Sequence, residues 1–317
     1  MIRKHSLGVS TDLEWVKKDA VVEDSKVEIS GNASFEETND FLEVDQKEVF
    51  DELHEKSVKR KKLVLDTGSF ELNNTSNNSF NEFIIEVKEN SNVKLLVNTE
   101  SDGFSTDFLK VILKEGSSLD ITHVKDSKHY LHSRSHFFLG NNSTVNIVSA
   151  DFSGTIFNDV KVFLDGRGCK STLNHLFYGV KEDNFDVKLS SVHGNKDVYS
   201  LINAKGILDG GRIVTRGLVK INSNSPDSNG YQKTDILQLS PSRAVSIPDL
   251  LIHNEQVKCS HGSTITSLED DKIFYLQSRG LKRKDAEKSL VIGFVQNLID
   301  ESFISDKLLE RVLSKLK

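Results

Sequence analysis

Apolar and polar residues alternate over short runs through the middle of the chain. Phe185, Val187 and Leu189 are separated by single polar residues, and residues 93–97 and 160–164 show the same period of two. Successive side chains of a strand point to opposite faces, so a period of two predicts half-buried β-strands. The middle of the chain is therefore predicted to consist of many short strands.

Polar turns rich in Asn, Ser and Gly separate these runs at a nearly constant interval. From Ser91 to Gly116, Gly140, Gly166 and Gly194 the successive steps are 25, 24, 26 and 28 residues. A loose repeat of that length, with strand–turn–strand in each unit, is typical of a β-solenoid, whose turns bury their apolar faces by stacking. A β-sandwich would contain similar strands without any reason for the recurring step. We therefore predict a mainly β fold with a β-solenoid core.

Changes in periodicity divide the chain into three parts. The solenoid is predicted over residues 63–266, after a polar and acidic N-terminal region over residues 1–62. Within that region the spacing of apolar residues predicts a short helix over 48–58. After residue 266 the apolar residues recur at helical spacing, so residues 267–317 are predicted to form a small C-terminal α-helical domain.

Composition and charge narrow the classes of function. The net charge is −6, from 41 basic and 47 acidic side chains, which disfavours binding to the phosphate backbone of nucleic acids. No apolar run is long enough to span a membrane, and the first residues lack the apolar stretch of a secretory signal. The only cysteines are Cys169 and Cys259, a number that is typical of a reducing cytoplasm and too small to hold a stable iron–sulphur cluster alone. No Gly-x-x-x-x-Gly-Lys-Ser/Thr phosphate loop is present, so ATP hydrolysis is expected to come from a partner.

Five blocks near the C-terminus carry a specific resemblance. They are Pro-Asp-Leu-Leu-Ile at 248–252, Val-Lys-Cys-Ser-His-Gly-Ser-Thr at 257–264, Ile-Phe-Tyr-Leu-Gln-Ser-Arg-Gly at 273–280, Asp-Ala-Glu at 285–287 and Gly-Phe at 293–294. In identity, order and spacing these blocks resemble the SufB/SufD family of the SUF system, which assembles iron–sulphur clusters. The resemblance covers about a third of the chain, and the earlier residues match only in their β-rich character.

The resemblance implies a right-handed parallel β-helix, a variable N-terminal region and a C-terminal helical domain. It also implies a non-enzymatic scaffold subunit that pairs with a SufB-type paralogue through the β-helix. The C-terminal helices of the family bind SufC, an ABC-type ATPase, and the nascent cluster forms at the SufB–SufD junction. No cofactor is therefore expected to be bound stably by this chain, only iron or a cluster held transiently and shared with a partner.

The subtype suggested by the motifs is SufD. SufB-like members carry a cysteine several residues before the proline that corresponds to Pro248, and residues 239–245 of this chain contain none. The Cys-Ser-His-Gly segment at 259–262 is instead similar to that of SufD-like members.

Two residues of that segment are candidate metal ligands. The resemblance favours His261, because a neutral imidazole can replace a thiolate on a cluster. Cys259 lies two residues earlier and would share a face with His261 on a strand. Two alternatives stay open: His261 could hold a loop by hydrogen bonds, and Cys259 could be a small apolar filler.

The helices hold the candidate residues for binding the SufC-type ATPase. These residues are Phe274, Tyr275, Arg279, Ala286, Leu290 and Phe294. Some of them must pack within the helical domain, so the exposed members are expected to form the docking surface.

The remaining histidines and the other cysteine give weaker indications of function. His123, His129, His132 and His136 cross a predicted turn without a thiolate, so surface or interior-lining roles are favoured over a metal site. Cys169 is predicted to lie in the core. Two other functions stay open: a stand-alone homodimeric SufB-like scaffold, and a carbohydrate-active β-helix enzyme. The missing cysteine argues against the first, and the lack of a distinctive carboxylate pair against the second.

Overall fold

The computed structural model describes residues 25–31, 33–38 and 58–316. The helix predicted over 48–58 lies outside the described residues apart from its last position. The strands are β1 (Lys26–Ser30), β2 (Glu36–Glu37), β3 (Lys59–Leu65), β4 (Gly68–Ser76), β5 (Phe80–Val87), β6 (Asn92–Ser101), β7 (Phe104–Leu113), β8 (Ser118–Ser127), β9 (Tyr130–Leu139), β10 (Thr144–Asp151), β11 (Thr155–Leu164), β12 (Lys170–His193), β13 (Tyr199–Ile221), β14 (Ser228–Gln238), β15 (Arg243–Ile252) and β16 (Val257–Ser267). They are followed by helices α1 (Asp270–Ser278), α2 (Arg283–Ile299) and α3 (Ser305–Lys315).

The strands form two parallel stacks that wind as a β-solenoid of about eight turns. The first stack contains β4, β6, β8, β10, the first halves of β12 and β13, β14 and β16. The second contains β3, β5, β7, β9, β11, the second halves of β12 and β13, and β15. The prediction of a β-solenoid core is confirmed.

The two long strands belong to both stacks because each bends at a corner. The bend of β13 lies at Gly210 and Gly211, whose φ angles are +88° and +72°. A Cβ atom at Gly211 would stand 2.6 Å from the carbonyl oxygen of Asp183 in the turn below. Only glycine accepts both this backbone conformation and this close approach.

The spacing of the turns along the sequence matches the offset between paired residues of neighbouring strands in the first stack. Val93 pairs with Leu119, and Leu119 with Val145, so each turn of this part of the solenoid contains 26 residues. The polar turns also stack, because the backbone N–H of Asn90 donates to Glu115 and that of Gly116 donates to Asn141. The connections are thus held by the same repeated hydrogen bonding as the strands.

Inward-facing apolar side chains form ladders that fill the solenoid. Leu95, Ile121, Ile147 and Leu173 occupy one such ladder, and each is at most 2% exposed. Cys169 is also fully buried, and its Sγ lies 2.9 Å from the carbonyl oxygen of Gly166. The prediction that Cys169 belongs to the core is confirmed.

The two ends of the solenoid differ. At the N-terminal end β1 pairs antiparallel with β4, and Val27, Ile29 and Phe35 pack against the core. At the other end β15 pairs only with β13, and β16 only with β14, among the residues that the structure describes. We call this last turn, formed by β15 and β16, the open end.

The C-terminal helices fold back onto the outer face of the first stack. Val291, Val295 and Leu298 of α2 are fully buried in one cluster with Leu176 and Tyr178 of β12. None of the helices in the described ranges has the length and apolar character needed to cross a membrane.

Candidate functional site

The Cys-Ser-His-Gly segment lies at the open end. Cys259 pairs with Gly230 and His261 with Gln232 of the turn below. Ile265, four residues after His261, continues the ladder of the buried Ile236. Because alternate residues of a strand share a face, Cys259, His261 and Ile265 all point toward the interior side of the last turn.

The two candidate ligands differ in burial, and no further turn covers them among the described residues. Cys259 is half-buried and packs against the hydrophobic core, and this burial raises the pKa of its thiol. His261 is exposed. A metal ion would bind the deprotonated thiol and so displace its proton, whereas a neutral imidazole can bind without a change in charge.

Apolar side chains surround these two residues. Ile252 is 42% exposed and Ile265 is 43% exposed, and both lie on the interior side of the last turn. Leu251, on the outward side of β15, is 43% exposed. The open end thus combines two potential metal ligands with an apolar rim and two strands whose outer edges lack a strand partner among the described residues.

A second exposed apolar surface lies on the first helix. Phe274 is 72% exposed and Tyr275 is 56% exposed, while Ile273 of the same helix is buried. The guanidinium carbon of Arg279 lies 5.3 Å from the centre of the Tyr275 ring. Next to Tyr275, the half-buried Leu290 lines a shallow hollow of about 290 Å³.

The other two residues of the predicted docking set face inward. Ala286 has no exposed surface. Phe294 is half-buried against the solenoid, where the Lys205 ammonium lies 5.3 Å from its ring centre and donates to its carbonyl oxygen at 2.5 Å. The structure therefore places Arg279 and Leu290 beside Tyr275, and Phe274, the preceding residue of the same helix, is exposed.

The four clustered histidines are not gathered around one point. His123 points into the solenoid interior, whereas His132 and His136 lie on the outer face of the second stack, and His129 is exposed. In the part of the chain that is described, no group of three or more His, Cys, Asp or Glu side chains could hold a metal ion. Among the described residues, the open end offers two potential ligands, Cys259 and His261.

Sequence reasoning missed an ionic cluster inside the solenoid. The carboxylate of Asp107 lies 2.9 Å from Nε2 of His123, and that of Asp151 lies 3.4 Å from Nζ of Lys125 and 3.4 Å from Nε2 of His175. Burial lowers the pKa of Lys125 and lowers that of His175 to about 4. The sequence does contain a sign of this cluster. In strands where apolar and polar residues alternate, the charged residues Asp107 and Lys125 occupy positions that face inward.

Burial, hydrogen bonds and neighbouring charges together shift the pKa values in this cluster. Burial alone would raise the pKa of Asp107, but the hydrogen bonds from His123 and Thr99 and the nearby charges lower it overall. Burial and the charge of Lys125 lower the pKa of His123. The carboxylate of Asp107 thus accepts hydrogen bonds from Thr99 and His123, and the cluster lies in the core, several turns from the open end.

Comparison with known proteins agrees with the fold. The family profile described as "SUF system FeS cluster assembly, SufBD core domain" matches residues 70–294, which is 225 of the 317 residues. The chain is 30% identical over 155 residues to "Iron-sulfur cluster assembly protein SufD" of Escherichia coli, an alignment that covers 48% of this chain and 36% of that protein.

Two further relatives align over shorter stretches. "Protein ABCI7, chloroplastic" of Arabidopsis thaliana is 38% identical over 92 residues, which is 29% of this chain and 19% of the relative. A SufBD family protein of Staphylococcus saprophyticus is 30% identical over 141 residues, or 44% of this chain and 30% of the relative. The alignments thus span about a third or less of these relatives. The profile match nevertheless covers most of this chain, which belongs to the SufB/SufD family of SUF iron–sulphur cluster assembly proteins.

Proposed function

We propose that this chain is a non-catalytic, SufD-like scaffold subunit that helps to assemble a nascent iron–sulphur cluster at its contact with a SufB-type partner. The observation that carries the proposal is the open end, where Cys259 and His261 face the uncovered interior. The cluster is cargo in this proposal, held between two chains and then passed on. The two free thiols of the chain fit a reducing compartment such as the cytoplasm.

The shape of the open end favours a protein partner. An exposed strand edge offers N–H and C=O groups to another chain, and burial of apolar rim residues against that chain lowers the free energy. Leu251, Ile252 and Ile265 are each more than two-fifths exposed. The N-terminal end, by contrast, is covered by residues of this same chain. A SufB-type chain placed on the open end would cover this rim and the strand edges together.

The open end has too few potential ligands to hold an iron–sulphur cluster without a partner. Iron in a cluster usually has thiolate ligands, some of which histidine can replace. His261 and Cys259 supply at most two ligands, because Cys169 is buried in the core. The remaining ligands would come from the SufB-type chain, so a cluster would form only where the two chains meet.

The exposed surface of α1 favours a second partner, the SufC-type ABC ATPase. Tyr275 borders the Leu290 hollow, and Phe274, the preceding residue of the helix, is 72% exposed. Large aromatic side chains that enter a groove are typical anchors for helix-mediated binding. The ATPase would supply the ATP hydrolysis for which this sequence contains no phosphate loop.

The experiment that tests the scaffold proposal is the substitution His261→Ala in the complex reconstituted with a SufB-type partner and the ATPase. Because His261 is exposed and no turn within the described ranges packs above it, the melting temperature should stay unchanged. Iron content and visible absorbance should fall sharply, since an incomplete ligand set leaves iron open to water. Ser263→Ala is the matched control, because Ser263 is also exposed and lies on the same face two residues later.

Two results would contradict the proposal. A His261→Ala complex that holds as much iron as the wild type would show that His261 is not a ligand. A variant that melts far earlier and loses iron only in proportion to unfolding would show that His261 is structural. Size measurement of the assembled complex would separate pairing with a SufB-type chain from a homodimer.

A further inference from the structure

A lysine, an aspartate and an asparagine meet inside the solenoid at full burial. Lys125 of β8 and Asp151 of β10 are paired neighbours in the first stack, and Asn158 of β11 reaches them from the second stack. None of the three side chains has any exposed surface. A fully buried lysine is rare because loss of hydration is costly for an ammonium ion, so this placement calls for an explanation.

Asp151 contacts the side-chain nitrogen atoms of both other residues. Nζ of Lys125 lies 3.4 Å from Oδ1 of Asp151. Nδ2 of Asn158 donates to Oδ1 of Asp151 at 3.2 Å and to Oδ2 at 3.0 Å. Both nitrogens also donate to Oγ of Ser149, at 2.7 Å from Lys125 and 3.2 Å from Asn158. Because the two nitrogens share the same acceptors, the Lys125 amine lies beside the Asn158 amide.

The solenoid interior favours the uncharged form of the Lys125 amine. Burial lowers the pKa of Lys125, and it outweighs the opposing effect of the Asp151 and Asp107 carboxylates. Transfer of one proton from Nζ to Asp151 turns the ion pair into a neutral pair, which costs less to keep away from water. His175 also lies 3.4 Å from Asp151, but burial lowers its pKa to about 4, so it is neutral at pH 7.

We propose that Lys125 and Asn158 form an intramolecular isopeptide bond, with Asp151 as the catalytic residue. The neutral Nζ attacks Cγ of Asn158 and forms a new C–N bond. Asp151 gives its proton to Nδ2 and receives one from Nζ, since it contacts both atoms. The bond between Cγ and Nδ2 then breaks and ammonia leaves. One amide replaces another, so the reaction needs no oxidant or reductant.

Burial supports this reaction in two ways. Groups that the fold holds against each other react as if they were highly concentrated. Exclusion of water prevents the hydrolysis of the amide that would otherwise compete. Oδ1 of Asn158 is buried and has no hydrogen-bond partner in the described part of the chain, so the fold leaves this amide incompletely paired. The new bond would link β8 to β11, and thereby the two stacks, and would restrict the unfolded chain as a disulfide does.

The test measures the intact mass of the purified full-length chain in denaturant and then maps its peptides. The wild type should be lighter by one ammonia than its sequence requires, and digestion should yield a branched peptide that joins Lys125 to Asn158. Asn158→Ala and Lys125→Met should each have the full mass of their sequences. Asn146→Ala is the matched control, because Asn146 also donates to a carboxylate, that of Asp120, but is exposed. This control should still lose one ammonia.

The role of Asp151 is tested by Asp151→Asn, which preserves the size of the side chain but cannot carry the proton. Circular dichroism first establishes whether this variant is folded. A folded Asp151→Asn chain should keep its full mass, and a folded chain that still loses ammonia and yields the branched peptide would overturn the catalytic role. If the variant does not fold, the wild type and Lys125→Met decide the matter.

Two outcomes would overturn the isopeptide bond itself. The first is a folded wild-type chain that keeps its full mass and yields no branched peptide after prolonged incubation. The second is a loss of ammonia that persists in Lys125→Met, because an asparagine that cyclises on its own backbone loses the same mass. Neither outcome depends on iron or on a partner chain, so this inference and the proposed function stand or fall separately.

Discussion

Acid should destabilise the protein partly through His193, a histidine that the core keeps neutral. His193 is the last residue of β12 and is fully buried. Its Nε2 lies 2.7 Å from the hydroxyl oxygen of Ser200. Burial lowers the pKa of His193 from its ordinary 6.5 to about 4. No charged neighbour contributes to this shift, so desolvation of the ring is its cause.

The sign of the pH dependence follows from this lowered pKa. The unfolded chain takes up a proton on His193 near pH 6.5, whereas the folded chain resists protonation until about pH 4. The stabilising contribution is therefore fully present above pH 6.5 and is lost as the pH falls toward 4. Linkage gives a loss from this one residue of about 2 kcal/mol at pH 5 and about 3 kcal/mol at pH 4.

The substitution His193→Gln removes the titrating group and retains a polar side chain for Ser200. The free energy of unfolding is measured by urea denaturation at pH 7 and pH 5, with circular dichroism as the signal. Between these two values the variant should lose about 2 kcal/mol less stability than the wild type. Any fixed cost of the substitution cancels, because only the change with pH is compared.

The control for this experiment is His129→Gln, because His129 is exposed. It should show the wild-type pH dependence. His175, whose pKa burial also lowers to about 4, is present in all three proteins and cancels in the comparison. If His193→Gln loses stability between pH 7 and pH 5 as steeply as the wild type, the buried ring is already protonated or hydrated, and the reasoning fails.

Two further predictions concern the interior cluster and the exposed helix. Asp151→Ala would leave Lys125 buried without its carboxylate partner. The free energy of unfolding, measured by urea denaturation, should therefore fall by about 3–5 kcal/mol. A fall of less than about 1 kcal/mol would mean that Lys125 does not depend on this ion pair. The double substitution Phe274→Glu with Tyr275→Glu should weaken binding of the SufC-type ATPase at least tenfold by calorimetry, at an unchanged melting temperature, because both side chains are exposed. Phe303→Glu, at another exposed apolar residue of the helical domain, should leave binding intact, and equal weakening by both changes would refute the assignment to α1.

The solenoid could be predicted because its signals are local. Alternation at Phe185, Val187 and Leu189 is a property of each strand, and it follows directly from the direction of successive side chains. The turn spacing near 26 residues is the length of chain needed to complete one turn, so it can be counted along the sequence. The shared face of Cys259 and His261 was predictable for the same reason, since it needs only a strand.

Which apolar residues of the helices are exposed and which are buried could not be predicted in this way. Phe274 and Phe294 both lie in helices with apolar neighbours, yet Phe274 is 72% exposed and Phe294 packs against the solenoid. Which face of a helix is buried depends on the surface against which the helix folds. That surface is the outer face of the first stack, and its apolar residues come from strands distant in sequence, such as Leu176 of β12.

The sequence by itself determined the repeat, the parallel stacking of its turns and the family motif, because each depends on contacts within a turn or between consecutive turns. Only the tertiary structure decided that the N-terminal end is covered and that the other end is open among the described residues, since covering an end requires residues from elsewhere in the chain. It also decided that Asp107 meets His123 and that Asp151 meets Lys125 inside the solenoid. Those placements join residues from different turns or opposite stacks, and a one-dimensional pattern does not record which polar groups meet when the stacks close.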